Sequence, residues 1–312
     1  MSKAPFPIDP FLTGLALAYS NRALIGDRVL PRVPVGKQEF KWWKYDKADR
    51  FTIPKTLVGR TSRVNEVEFG ATEETSSTRD YGLEDPIPQS DIDNAPANYN
   101  PKSYATEALT DLILLDREVR VASLVFDPAT YGAQHEALAN ADKFDAPNSD
   151  PIELIGDKLD STLMRANTLV FGRDAYRTLS RNTSIVKASN RNDGDKGIAR
   201  RQDIADLFEI PVENILVGEG FVNTAKKGQT PSFVRVWGDS IAMLHLNPVA
   251  NTRSGVTFGY SAQWGTRVSG SAYDRDIGLR GGERVRVGES LKELIVAPDC
   301  GYLLSDVNGY TP

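Results

Sequence analysis

The sequence predicts an α+β protein whose strands fall into more than one unit. Three observations carry that reading. A charge-rich, core-poor stretch runs from about Lys37 to Asp93. One strongly amphipathic helix, about Ser103 to Phe126, follows it directly. After that helix, helical and strand periods alternate to about residue 250, and the remainder reads as strand. A chain of 312 residues has room for two domains, or for one with large extensions.

Taken in order, residues 1–36 hold five prolines, Pro5, Pro7, Pro10, Pro31 and Pro34, which bars a long helix across them. One short helix fits between Pro10 and Asp27, with Leu12, Leu15, Ala16 and Tyr19 on one face. The segment is expected to be an arm that packs on neighbouring copies. Phe11 to Tyr19 is apolar, but only Lys3 precedes it as a basic residue and three prolines stand before it. It therefore reads as part of the arm rather than as a signal peptide.

Residues 37–85 contain 19 charged residues in 49, too many for a conventional core. The sign is segregated. Lys37 to Arg63 carries eight basic and three acidic residues, a net of +5; Val64 to Asp93 carries one basic and nine acidic, a net of −8. Two antiparallel arms of opposite charge would attract one another or the matching arms of a neighbour. Aromatic residues recur with period 2, and the phase change between Trp42 and Trp43 predicts a bulge or an edge exposed on both faces. A hairpin with so little core is marginal alone. Its expected contact residues are Phe40, Lys41, Trp42, Trp43, Lys44, Tyr45, Lys47 and Phe51 on the basic arm, with Glu66, Glu68 and Phe69 on the acidic one. Trp42, Trp43 and Phe51 are the candidate buried anchors.

Pro86, Pro88, Pro96 and Pro101 mark a connector. Ser103 is the candidate N-cap of the helix that follows, and Asp127-Pro128 ends it. The stripe predicted to face the core includes Leu109, Leu112, Leu115, Val119 and Phe126, with Glu107, Asp111, Arg117 and Glu118 largely off it. Residues 129–147 read as helix and then loop. Ser149-Asp150-Pro151 starts a helix expected to reach about Met164. Strands are predicted at 168–171, 214–217, 232–237 and 241–246, helices at 173–181 and 201–208, and a loop at 187–200. From Val256 onward the candidate strands are 256–268, 284–287, 292–296 and 302–304.

Composition bounds the function. Charged residues make up 25% and the net charge is −5, which gives no global case for nucleic-acid binding and leaves room for a local basic patch. The one cysteine, Cys300, excludes a disulfide framework and a thiolate zinc site within one chain, and it reads as a small buried filler. No apolar run approaches the roughly 18 residues a membrane span needs. The two histidines, His135 and His245, have no spaced ligand partners. Asp91-Ile92-Asp93 and Asp193-Gly194-Asp195 read as a solvated connector and a turn. No nucleophile elbow, P-loop or dinucleotide fingerprint occurs, so no enzyme and no cofactor is expected.

The order of elements resembles the major capsid proteins of tailed bacteriophages, the HK97-type fold. Ser103–Phe126 looks like that family's spine helix and Lys37–Leu83 like its extended loop. The run from Ala166 to Tyr176, and then Arg201 to Gly218, are similar to steps of its axial domain. Leu294 to Pro298 with Gly301 to Leu304 resembles its closing β segment. The resemblance implies five regions: an N-terminal arm at 1–36, the extended β-hairpin loop and connector at 37–93, the spine helix and part of a peripheral domain at 94–148, an axial domain at 149–250, and the closing β segment of the peripheral domain at 251–312. It further implies pentamers and hexamers that close into an icosahedral shell around double-stranded DNA, in a virion assembled in the bacterial cytoplasm. Expected partners are other copies of the chain, a separate scaffolding protein, a portal, decoration proteins, and DNA held without base reading; no membrane is expected. Two other readings fit the same order: an encapsulin-like nanocompartment shell with a protein cargo, and a soluble α/β enzyme with an N-terminal extension.

Overall fold

The computed structural model describes residues 6–19, 21, 23–45, 52–67, 70–190 and 196–311, with Tyr45 and Asn190 described by their backbone alone. The chain begins with helix α1 (Pro10–Ala18), capped by Asp9, whose carboxylate accepts from Phe11 N at 2.8 Å; Pro10 fills the first helical position. A single turn, α2 (Gly26–Val29), leads into strand β1 (Arg32–Val35). Strands β2 (Glu39–Tyr45) and β3 (Ala71–Ser77) pair antiparallel, and β4 (Arg79–Pro88) follows at once. A short helix α3 (Gln89–Asp93) precedes the long helix α4 (Pro101–Val125).

Next come strand β5 (His135–Ala137), helix α5 (Pro151–Ser161), strand β6 (Thr168–Gly172) and helices α6 (Arg173–Leu179), α7 (Thr183–Asn190) and α8 (Arg201–Phe208). Short strands β7 (Ile215–Gly218), β8 (Phe221–Asn223), β9 (Phe233–Arg235) and β10 (Ser240–Leu244) follow. The chain closes with two long strands, β11 (Gly259–Asp274) and β12 (Gly282–Ile295), and a short one, β13 (Gly301–Ser305).

Two larger sheets organise these elements. One has the order β5-β13-β10-β6-β7, with β6 and β7 parallel across the α6–α8 crossover and β10 antiparallel to both neighbours. Strands β6, β7 and β10 are buried along their full length. One face carries Leu169, Phe171, Ile215, Ile241 and Leu304 against α5–α8, and the other carries Val170, Leu216, Ala242 and Leu303 against α4 residues Val121, Ala122 and Val125. Both faces are covered, which is why these strands read as continuous apolar runs.

The second sheet has the order β1-β11-β12-β4. A bulge between Trp264 and Val268, with Gly265 at φ +68°, bends β11 against β12. Helices α1 and α4 cover one face through Ala16, Ala105, Leu109, Ile113, Val285 and Val287. Val33, Phe40, Tyr260 and Ala262 form a further apolar cluster with β2.

Several expectations change. The N-terminal segment does not wait for a neighbour: α1, α2 and β1 are built into their own chain, with Leu12, Ala16, Val29 and Leu30 buried. Asn100, not Ser103, caps the long helix, accepting from Lys102 N at 3.0 Å, because Pro101 sets the first position. Residues 129–147 form 3₁₀ turns and β5 rather than a helix. Helix α7 occupies the start of the expected loop at 187–200, and α5 stops at Ser161. The separate strands expected at 284–287 and 292–296 are one, because β4 and β11 flank β12 on both sides. Sheet pairing links elements far apart along the chain: β4 and β12 lie in one sheet, β5 and β13 in the other.

Candidate functional site: the extended hairpin and its anchor

Strands β2 and β3 make a two-stranded sheet whose register runs unbroken from Glu39↔Ser77 to Tyr45↔Ala71. The bulge expected at Trp42 and Trp43 is absent from that register; the phase change records an edge that meets different surroundings on its two faces. Phe40 is buried against Val33, Tyr260 and Ala262, and half-buried Trp42 packs beside them. Phe40 is therefore covered by its own chain and is unavailable to a neighbour, because the root of the hairpin lies on β1 and β11. Trp43 stays 42% exposed, with its backbone N–H donating to Thr252 O at 3.1 Å. Lys41 and Lys44 are exposed, and Lys41 pairs with Glu73 across the sheet. The opposite charges of the two arms thus meet within one chain.

Beyond the strands, residues 52–67 form neither helix nor strand and lie open to solvent. Ile53 is 91% exposed and Leu57 85%, and exposed Glu66 lies on the same stretch. Side chains this apolar gain free energy only when something covers them. Tyr45 belongs to β2; Lys47, Phe51, Glu68 and Phe69 lie outside the described residues.

The long helix that follows is buried on a face rotated from the expected stripe. Leu109 is buried, Leu115, Val119 and Phe126 are half-buried, and Leu112 is 53% exposed. The buried positions are Ala105, Thr106, Leu109, Thr110, Ile113, Leu114, Arg117, Glu118, Val121, Ala122 and Val125. The helix is embraced on one side by the N-terminal strap, formed by α1 and α2, and on others by both sheets. Its covered arc is wider than one stripe and takes in two charged residues.

Those two residues are the centre of an ionic core that a hydropathy pattern misses. Arg117 pairs with Asp27 and donates through Nη2 to Leu30 O and Ser261 Oγ, each at 3.0 Å. Asp27 also meets Arg32 Nε at 2.6 Å, and Glu289 Oε2 accepts from Arg32 Nη1 at 2.8 Å and Arg267 Nη2 at 3.0 Å. Arg267 Nη1 donates to Ala16 O at 2.8 Å. Glu118 accepts from the backbone N–H groups of Ile25 at 2.8 Å and Gly26 at 2.6 Å, and from Trp237 Nε1 at 2.5 Å. The strap, the long helix, the β11–β12 sheet and the β9–β10 connection are thereby joined.

Burial works against ionisation of Asp27 and Glu289, but their arginine partners outweigh it and hold both carboxyls below the ordinary range. For Glu118, burial wins over the three donors and pushes the carboxyl up. Burial likewise pushes the Tyr260 phenol up to about 12. Trp237 lies against Gly218, where a Cβ would overlap the indole ring, so only glycine admits this approach. Cys300 is buried, as expected of a filler. Among the described residues no group of three His, Cys, Asp or Glu could hold a metal ion, and no helix is long and apolar enough to cross a membrane.

Known proteins match this arrangement from end to end. The major capsid protein of Pseudomonas phage JBD67 is 54% identical over 307 residues, covering 98% of this chain and 99% of the relative. The major capsid protein of Burkholderia phage BcepMu is 30% identical over 313 residues, covering 97% of each. Among solved structures, a phage-related protein from Bordetella bronchiseptica RB50 has a TM-score of 0.74 at 21% identity, covering 97% of this chain and 98% of that one. The capsid of cyanophage P-SCSP1u gives 0.58 at 10% identity, covering 92% and 89%. A virus-like particle from Pyrococcus furiosus gives 0.53 at 11% identity, covering 94% and 96%. These structures speak to the fold alone. No family model matches the chain. Because more than half of its residues, over nearly its whole length, are those of a phage major capsid protein, the chain belongs to the bacteriophage major capsid proteins of HK97-like fold and is a structural subunit of the phage head shell.

Proposed function

We propose that copies of this chain form pentamers and hexamers that close into an icosahedral head around double-stranded DNA. The observation that carries the proposal is the hairpin loop at 52–67, whose Ile53, Leu57 and Val64 are exposed on the single chain. Laid over an adjacent copy, the loop would bury these side chains, and many such contacts add through closed symmetry. Exposed Trp43, Lys41, Lys44 and Glu66 would contribute to the same contact, and Lys47, Phe51, Glu68 and Phe69 keep their expected place in it. A separate scaffolding protein guides closure in the bacterial cytoplasm. A portal occupies one vertex, decoration proteins bind outside, and arginines and lysines on the inner face meet DNA phosphates without base reading. The chain's part in this is structural rather than catalytic.

The test is electron microscopy of the expressed chain, alone and with its phage's scaffold. Closed particles built of five- and six-fold capsomers are expected. A chain that sediments as monomer or dimer and gives no particles under any condition would sink the proposal. Heads from infected cells should carry double-stranded DNA; a protein cargo instead would favour the nanocompartment.

A further inference from the structure

A second unpartnered hairpin lies far along the chain from the first. Strands β8 and β9 pair only with each other, in the register Phe221↔Arg235, Val222↔Val234, Asn223↔Phe233. Paired residues share a face, so Phe221 and Phe233 project on one side of the ribbon. They are 50% and 67% exposed, and Val234 is exposed on the other side. A two-stranded ribbon open on both faces has little stability of its own. This one is nevertheless preorganised. Asn223 Oδ1 accepts from Ala225 N at 3.1 Å and Ser232 N at 2.9 Å, and Arg235 lies over the Phe221 ring at 4.5 Å while reaching Asp174 at 3.4 Å. Its turn carries exposed Lys226 and Lys227, for which no ion pair is seen among the described residues.

A complementary surface exists on the same chain. Strand β7 is an edge of its sheet. Just past its C-terminal end the β8–β9 ribbon begins; just before its N-terminal end lie exposed Asp206, Glu209, Pro211 and Glu213, with half-buried Val212 among them. Arg165 approaches Glu209 only at 3.9 Å, and Arg28 donates to the backbone carbonyl of Glu213, not to its carboxylate. One end of β7 thus offers aromatic rings and two cations, and the other offers apolar surface and three carboxylates.

We propose that the β8–β9 ribbon of one copy docks on the Asp206–Glu213 surface of the next copy. The two patches differ and lie at opposite ends of one strand, so the contact is heterologous and propagates head to tail until a ring closes. The aromatic rings supply buried area, and the charges set register and exclude the reversed pairing. The inference rests on the shell-subunit reading and adds a contact independent of the long β2–β3 hairpin.

The test compares particle yield with that of the wild-type chain, whose assembly shows that the shell reading stands. Lys226→Glu with Lys227→Glu, and separately Asp206→Lys with Glu213→Lys, are each expected to lower particle yield at least tenfold while leaving the thermal unfolding of free subunits unchanged. Combining all four substitutions sets two carboxylates against two lysines again with the signs exchanged, and should restore yield. Wild-type yield from both double variants, or no recovery from a well-folded quadruple variant, would overturn the proposal. If a charge reversal fails to fold, Phe221→Ser with Phe233→Ser carries the same test, and unimpaired assembly of that variant overturns it. A wild-type chain that never assembles removes the shell reading first.

Discussion

Arg117 and Glu118 adjoin in sequence and are both buried in the middle of the long helix, 2% exposed each. Each is held by partners that lie about 90 residues or more away along the chain. Removing the Arg117 guanidinium takes a buried donor from Leu30 O and Ser261 Oγ, at a cost of about 1–3 kcal/mol, while half-exposed Asp27 keeps Arg32 as its partner. Arg117→Leu is therefore expected to destabilise free subunits by about that much in denaturant titration; a change below 1 kcal/mol would show that the cluster is dispensable.

The carboxylates of this cluster act on stability in opposite directions with pH. Asp27 and Glu289 titrate lower in the folded chain than in the unfolded one, so their contribution is complete above the ordinary carboxylate range and is lost as pH falls through their folded values. Glu118 titrates higher when folded, so the folded chain holds its proton longer. Its contribution declines as pH rises from the ordinary carboxylate value through the raised one. Glu118→Gln removes this decline. Thermal unfolding followed across that interval should show the variant gaining on the wild type as pH rises, and parallel curves would contradict the assignment.

At the scale of the element, the β2–β3 hairpin is half anchored and half free. Phe40 and Trp42 fix its root to β1 and β11, whereas residues 52–67 have no cover of their own. Local stability follows that division. Trypsin should cut free subunits first at Lys55, Arg60 and Arg63, all exposed, and assembled particles should be protected there. Equal cleavage rates in both states would mean that the loop does not dock. The long helix shows the same dependence on context. The segment is helical because Asn100 and Pro101 start it and Asp127-Pro128 stops it. Which of its faces is buried depends on the strap and the two sheets around it.

At the scale of the molecule, the ionic core and Trp237 tie the two sheets to one helix, so the subunit should unfold as a unit. Assembly adds burial that the free subunit lacks, and any partner that binds only the folded chain raises apparent stability. Calorimetry is expected to show particles unfolding several degrees above free subunits, with the difference shrinking when Ile53 and Leu57 are both changed to Ser. Identical transitions for particles and subunits would argue against loop burial.

What the sequence by itself determined is local. Asp-Pro at 150–151 places a cap and a first helical residue, because that hydrogen bond closes within three positions; Asp-Pro at 9–10 and Asn-Pro at 100–101 carry the same local signal, which the reading of Ser103 as the cap passed over. The apolar runs at β6, β7 and β10, the opposed charges of the long hairpin and the order of elements were legible for the same reason. Tertiary structure alone decided the rest. It joined two expected strands into β12, sent β13 to a different sheet from β12, folded the N-terminal segment back onto its own chain, and turned Ile113, Leu114, Arg117 and Glu118 inward while Leu112 faces out. The physical reason is distance along the chain. Arg32 meets Glu289 across 257 positions, and a charge buried by such a partner leaves no period, spacing or motif in the residues beside it.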